Sequence, residues 1–130
     1  MCRHIMAVGR SGAAAVLDAA VAMSAGRTAD HDGRVRVHPN GWGALRRTPD
    51  GALAVHREVK PLFETWYDSP VAGLEKTLLA VHSRHATLPK NRGLEFTHPL
   101  TRPGDVPWYF MHNGFLPDLA AAPRWSAPRC

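Results

Sequence analysis

The residue whose position most clearly suggests chemistry is Cys2, which directly follows Met1. Removal of Met1 would leave a thiol and a free α-amino group on one residue. An α-amino group has an ordinary pKa of about 7.7 to 8.0, so roughly a tenth of it is uncharged at pH 7 and able to accept the thiol proton. A terminal amine is a known alternative to histidine for activating a nucleophile. Cys2 is therefore a candidate N-terminal nucleophile, although unreactive cysteines also occur at this position.

Two further sets of polar residues could serve such a nucleophile. Arg84 lies in the run HSRHAT over residues 82–87, and its planar guanidinium suits a two-point grip on a carboxylate. Asn113 offers a side-chain NH2, and Gly114 offers a backbone N–H that can approach a substrate closely because glycine has no Cβ. These two donors would form an oxyanion hole, where loss of one donor typically lowers turnover by about 10² to 10³. The structural alternatives are a surface arginine and an Asn-Gly hairpin turn.

The eight histidines and two cysteines do not indicate a metal centre. None of their spacings matches His-x3-His, Cys-x2-Cys or His-Glu-x2-His, which are the usual ligand patterns. We therefore expect no metal and no cofactor. Cys2 and Cys130 stand at opposite ends of the chain, so no disulfide framework is predicted, and a reducing, cytoplasmic location is expected.

Composition indicates one globular domain, because 130 residues with a hydrophobic fraction of 45% can supply a core. The net charge is +5, but the arginines are scattered and form no stripe, so no nucleic-acid partner is predicted. No apolar stretch reaches the roughly 18 residues that span a bilayer, so no membrane association is expected. The alanine-rich segment 13–25 loosely resembles a signal peptide, but Asp18 interrupts it and an amphipathic helix explains it better.

The local elements that must position these residues are strands and helices in mixed order. We expect a strand over 2–8, a helix over 13–25, and a hairpin of strands 41–47 and 52–59. The short apolar segments 78–82 and 108–111 are typical of buried strands, although periodicity alone does not separate them from helix. Ser69 and Pro70 form a candidate N-cap and N1 pair for a helix through Leu74. The proline-rich segment 88–107 is predicted to be mostly loop. The HSRHAT and His-Asn-Gly runs thus follow strands, where a scaffold commonly presents functional groups.

Five short motifs occur along the chain in a recognisable order. They are Met-Cys-Arg-His at the start, Asn-Gly-Trp-Gly at 40–43, HSRHAT at 82–87, Asn91 with Thr-His-Pro at 97–99, and Trp108 leading to His-Asn-Gly at 112–114. In this order they resemble the class II, N-terminal-nucleophile glutamine amidotransferases, especially the small stand-alone members. The resemblance covers residues 2 to about 119, and it implies an α+β fold, the layered αββα sandwich of N-terminal-nucleophile hydrolases.

The resemblance also implies an activity and a set of site residues. Cys2 would attack the side-chain amide of glutamine or a γ-glutamyl compound, form a thioester and release ammonia, which a synthetase partner could use. Asn113 and Gly114 would complete the catalytic set. The residues implied to bind substrate are Arg84 at the α-carboxylate with Thr87 close by, Gly41, Trp42 and Gly43 in the wall near the nucleophile, and His98.

Two departures from the family pattern affect these expectations. Asn40 stands where stand-alone relatives usually have aspartate, so the role of that carboxylate must be absent or supplied by another group. Family domains also continue well past the His-Asn-Gly strand, whereas residues 120–130 form an irregular Ala, Pro and Arg tail. We therefore expect a partial amidotransferase domain over 1–119, with an incomplete C-terminus. The alternative function is a truncated, catalytically inactive fragment or partner-binding remnant.

Overall fold

The computed structural model describes residues 2–9, 12–27, 34–72 and 78–114. The elements follow in the order β1 (Arg3–Val8), α1 (Ala13–Ser24), β2 (Trp42–Arg47), β3 (Leu53–Glu58), α2 (Leu62–Thr65), β4 (Leu78–Ser83), β5 (Leu100–Arg102) and β6 (Trp108–Phe110). Short 3-10 turns occupy Trp66–Asp68, Pro89–Asn91 and Leu94–Phe96. The predicted α+β class is confirmed. The tail 120–130 and the boundary at residue 119 lie outside the described residues.

Strand pairing brings three chain segments to one end of a four-stranded sheet. The strand order is β1-β4-β2-β3, and every neighbouring pair is antiparallel. Ser83 at the end of β4 pairs with Arg3 at the start of β1 and with Trp42 at the start of β2. We call this edge the site end of the sheet. Cys2, Arg84 and Gly41 each lie one residue beyond these pairs.

Helix α1 forms where the sequence predicts a helix and ends at the predicted glycine. Alanine favours the helix, and Gly26 adopts a φ of 75° just past its end. The N–H of Gly26 donates to the carbonyl of Met23 at 3.2 Å, and the N–H of Arg27 donates to that of Ala22 at 2.8 Å. These two bonds form a Schellman motif, in which glycine tolerates the left-handed backbone conformation.

The two faces of the four-stranded sheet have different surroundings. One face, which we call the helix face, packs against α1. The core is formed by Ala13, Leu17, Ala20, Val21, Trp42, Ala44, Leu62, Val71, Leu79 and Val81. On the opposite face, Met6 and Val8 of β1 are 66% and 75% exposed. The small antiparallel sheet of β5 and β6 adjoins this opposite face, where a groove is lined by residues that include Leu53, Val55, Trp108 and Tyr109.

The hairpin prediction is confirmed, because β2 pairs with β3 around a turn at Thr48–Gly51. The Thr48 N–H donates to the Ala52 carbonyl at 2.8 Å and closes the turn. The predicted helix start at Ser69 is not observed, since residues 69–72 form a turn, while 73–77 lie outside the described residues. The Ser69 hydroxyl donates to the Trp66 carbonyl at 2.6 Å and accepts the Val71 N–H at 3.2 Å. This serine therefore closes the preceding 3-10 turn.

The segment 88–107 is less irregular than its prolines suggested. It contains two 3-10 turns and strand β5, which pairs with β6 through Leu100–Phe110, Thr101–Tyr109 and Arg102–Trp108. Pairing with a partner strand overrides the weak local preference of a proline-rich sequence. Among the helices in the described ranges, none is long and apolar enough to cross a membrane.

Candidate active site

Cys2 is held in a buried position at the site end of the sheet. Only 1% of the surface of Cys2 is exposed to solvent. Its backbone N–H donates to the Asn113 Oδ1 atom at 3.0 Å. Its Sγ atom lies 3.9 Å from the carbonyl oxygen of His85, within reach of a weak S–H bond. The structure therefore brings the predicted nucleophile and the predicted amide donor together across the fold.

The contact with Cys2 determines how the Asn113 amide is oriented. A backbone N–H can only donate, so the atom that faces it must be the carbonyl Oδ1. The Nδ2 hydrogens of Asn113 are consequently not used by this contact. Asn113 and Gly114 are both exposed, and Gly114 has a φ of 119°, which favours glycine. An exposed amide donor thus lies beside the buried Cys2.

The backbone around Arg84 is clamped to the chain that precedes β2. The Arg84 N–H donates to the Gly41 carbonyl at 2.9 Å, and the Arg84 carbonyl accepts the Asn40 N–H at 3.1 Å. In addition, the Ala86 N–H donates to Asn40 Oδ1 at 2.9 Å. A carboxylate at position 40 could accept this same bond, so the asparagine keeps the acceptor that aspartate would provide.

The guanidinium of Arg84 is a buried cation without a protein counter-ion in the described residues. Arg84 is 0% exposed, and its Nε, Nη1 and Nη2 atoms have no hydrogen-bond partner in that part of the chain. Its Cζ atom lies 6.0 Å from the centre of the Phe96 ring, at the limit of a cation–π contact. Buried charges are normally paired, because desolvating an ion is costly. Three unpartnered donor nitrogens therefore suit a bound anion.

The glycines of the Asn-Gly-Trp-Gly motif permit close backbone approaches. Gly41 has a φ of 99°, and a Cβ there would lie 2.7 Å from the Glu58 carbonyl oxygen. A Cβ on Gly43 would overlap the carbonyl oxygen of His98 and lie 2.8 Å from that of His56. The missing side chain at position 43 thus allows the segment that contains His98 to lie directly on the sheet.

Trp42 is not placed with the other predicted site residues. It is fully buried in the core on the helix face, and its indole N–H donates to Thr65 Oγ1 at 2.9 Å. Its ring packs at a tilt against His56, with 4.8 Å between the centres. The motif alone could not show this, because a tryptophan beside two glycines fits a substrate wall and a core equally well.

Thr87 and His98 differ in their access to a substrate. Thr87 is exposed and lies three residues after Arg84. His98 is fully buried between His82 and His112, with ring centres 4.6 Å and 4.7 Å away in edge-to-face geometry. Burial, reinforced by the neighbouring histidines and Arg84, lowers the pKa of His98 to about 3. His98 is therefore neutral at pH 7.

His38 is a buried histidine near Cys2 that the sequence reasoning missed. Its backbone N–H donates to the Ser24 carbonyl at 2.9 Å, which fixes it against the end of α1. Its ring makes no side-chain hydrogen bond within the described ranges, and its interaction with the Met23 backbone is too weakly aligned to satisfy a buried ring nitrogen fully. Burial and the charge of Arg3 lower the pKa of His38 to about 4, although Cys2 acts in the opposite direction. No spacing signal marks this residue, because its surroundings are created only by folding.

Considering only the residues described, no three His, Cys, Asp or Glu side chains come together in a way that could hold a metal ion. The groups described at the site are one buried thiol, one buried guanidinium and neighbouring polar groups.

Comparison of the sequence with protein-family models and with curated proteins finds no match.

Proposed function

We propose that this chain is an N-terminal-nucleophile glutamine amidotransferase or amidohydrolase that cleaves the side-chain amide of glutamine or a γ-glutamyl compound. The observation that carries the proposal is the hydrogen bond from Cys2 to Asn113, which joins residues 111 positions apart. In this bond the Asn113 Oδ1 atom accepts the Cys2 N–H, which leaves the Asn113 NH2 group available as a donor beside the thiol. A nucleophile that generates an oxyanion needs such a donor nearby.

The position of Arg84 supports a substrate that carries a carboxylate. A guanidinium binds a carboxylate through two parallel hydrogen bonds, and the three unpartnered nitrogens of Arg84 offer that geometry. Cys2 and Arg84 each lie one residue beyond the terminal pair of β1 and β4, at the site end of the sheet. A substrate with a carboxylate at one end and an amide at the other, such as glutamine, would suit this arrangement.

The proposed reaction uses the residues described above, the substrate and water. After Met1 is removed, the Cys2 amine takes the thiol proton, and Sγ forms a bond to the amide carbon of the substrate. The oxygen of that carbonyl becomes an oxyanion, to which Asn113 Nδ2 and the Gly114 N–H donate. The carbon–nitrogen bond then breaks, and the proton held by the amine passes to the leaving ammonia. Water attacks the thioester, which releases glutamate and restores the thiol.

The finer fold assignment, an αββα sandwich, forms part of the proposal. Two features of the described residues support it: α1 covers one face of the four-stranded sheet, and β5 and β6 adjoin the other. The exposed apolar residues Met6 and Val8 lie on that second face, where a sandwich would place another sheet. The ammonia formed is either passed to a synthetase partner or released.

The proposal is tested first at the chain terminus and the nucleophile. Intact-mass analysis of the purified protein is expected to show that Met1 is absent and that Cys2 is not acetylated. The glutamine analogue 6-diazo-5-oxo-norleucine is expected to label Cys2 and to leave Cys130 unmodified. Retention of Met1, or equal labelling of both cysteines, would contradict the mechanism.

Glutaminase assays of two matched variants complete the test. Cys2→Ser is expected to abolish release of glutamate, since serine is a far weaker nucleophile without further activation. Cys130→Ser makes the same chemical change at the other cysteine and is expected to keep the parent activity. A folded parent protein that releases no glutamate from glutamine or γ-glutamyl amides would support the alternative, an inactive remnant that binds a partner.

A further inference from the structure

His82 occupies the centre of the sheet beside the candidate site. It lies on β4, where its register partners are His4 on β1 and Gly43 on β2. The residue is fully buried. Side chains alternate along a strand, so His82 and Arg84 emerge on the same side of the chain if the alternation continues past the strand end.

A column of three imidazole rings connects His82 to the segment that carries Asn113. Because Gly43 has no side chain, the His98 backbone lies directly on the sheet next to His82. The His98 ring packs edge-to-face against His82 on one side and against His112 on the other. Edge-to-face ring packing of this kind holds the participating rings in defined positions.

A hydrogen bond completes the connection. His82 Nε2 lies 3.2 Å from the backbone carbonyl oxygen of His112. A carbonyl can only accept, so Nε2 must carry the hydrogen and donate it. His112 directly precedes Asn113, whose Oδ1 accepts the Cys2 N–H at 3.0 Å. A single imidazole thus links the sheet to the peptide bond that carries the amide donor.

We propose that His82 is a positioning residue: its Nε2–H holds the His112 carbonyl and thereby fixes Asn113 where the oxyanion develops. The inference rests on the proposed function, since it assigns to His82 a role in that same site. Placement matters because an error of 1 Å in a reacting geometry can lower the rate by about 10². Arg84 is held by separate backbone bonds to Asn40 and Gly41, so loss of the His82 bond leaves the substrate carboxylate site in place.

The test compares His82→Gln with His82→Asn in the full chain. The glutamine Nε2 reaches about as far as the histidine Nε2 and can donate to the same carbonyl, whereas the asparagine amide is one methylene shorter. We expect His82→Asn to lower kcat by about 10² with KM for glutamine unchanged. His82→Gln is expected to restore kcat to within about tenfold of the parent. His82→Phe keeps a ring without the donor and is expected to behave like His82→Asn.

Controls separate positioning from folding and from the proposed function. His56→Phe alters a histidine on the helix face and is expected to leave kcat unchanged. Circular dichroism and urea unfolding report whether each variant is folded, and if His82→Phe does not fold, the Gln and Asn pair decides alone. Equal kcat values for the folded Gln and Asn variants, or a rise in KM in place of the fall in kcat, would overturn the inference. An inactive parent with an unlabelled Cys2 would instead refute the proposed function itself.

Discussion

Replacing Arg84 by methionine should stabilise the ligand-free protein and at the same time abolish affinity for the carboxylate of the proposed substrate. Methionine keeps an unbranched apolar side chain in the buried site but removes a charge that has no counter-ion in the described residues. Leaving a buried charge unpaired costs about 3 to 5 kcal/mol. The centre of the Phe96 ring lies 6.0 Å from the Arg84 Cζ atom, and this cation–π contact offsets at most about 1 to 2 kcal/mol of the cost of the unpaired charge. The net gain on replacement is therefore between about 1 and 4 kcal/mol, and about 2 kcal/mol is taken as the expected value.

Urea unfolding with and without L-glutamate would measure both effects. In a thermal unfolding experiment, a gain of about 2 kcal/mol would correspond to a rise in Tm of roughly 6 to 10 °C for a domain of this size. L-Glutamate at about 100 times its Kd should stabilise the parent protein by a further 2.7 kcal/mol or so, and should leave Arg84→Met unchanged. Arg92→Met makes the same change at an exposed arginine, is the matched control and should stay within about 0.5 kcal/mol of the parent.

The reasoning would be refuted if Arg84→Met were less stable than the parent without ligand. That result would mean that the guanidinium is satisfied within the folded protein and has a structural role. Equal stabilisation of the parent and of Arg84→Met by L-glutamate would likewise show that the carboxylate binds elsewhere.

Three further predictions concern pH, packing and turnover. The pKa values of His38 and His98 are lowered to about 4 and about 3, so the unfolded chain binds more protons than the folded protein below pH 6.5. The free energy of unfolding should therefore fall by up to about 1.4 kcal/mol per pH unit for each histidine as pH drops from 6.5 towards 4. A urea-unfolding profile that stays flat between pH 7 and 5 would disprove this. Gly43→Ala should destabilise the fold by about 2 kcal/mol or more, because its Cβ overlaps the His98 carbonyl, while Gly104→Ala, where the nearest atom is 3.9 Å away, should be nearly neutral in the same measurement. Asn113→Ala should lower kcat by about 10² to 10³ with little change in KM; steady-state kinetics showing the reverse split would place Asn113 in substrate binding.

Local signals in the sequence predicted most of the described elements. The alanine-rich run and Gly26 located α1 and its end, and Thr-Pro-Asp-Gly located the hairpin turn between β2 and β3. Such features depend on near neighbours, so a short stretch of sequence contains the information that determines them. One prediction failed where a local signal had more than one use. Ser69 accepts the Val71 N–H as an N-cap would, but residues 69–72 form a turn. The proline-rich segment 88–107 is mostly loop, as predicted, and the short strand β5 within it left no local signal.

The sequence was enough to propose the residues of the candidate site, but not how the fold assembles them. Residue chemistry and motif order singled out Cys2, Arg84 and Asn113 as candidates, because a thiol, a guanidinium and an amide could supply a nucleophile, a carboxylate grip and an oxyanion donor. Only the tertiary structure joined Cys2 to Asn113, buried Arg84 without a partner in the described chain, and connected His82 to the peptide before Asn113. Contacts between distant residues depend on strand order and on backbone approaches such as the one at Gly43, and neither leaves a local signal in the chain. The sequence by itself therefore determined which groups are available for chemistry, whereas folding decided which of them meet, since burial and hydrogen-bond pairing are properties of the packed structure alone.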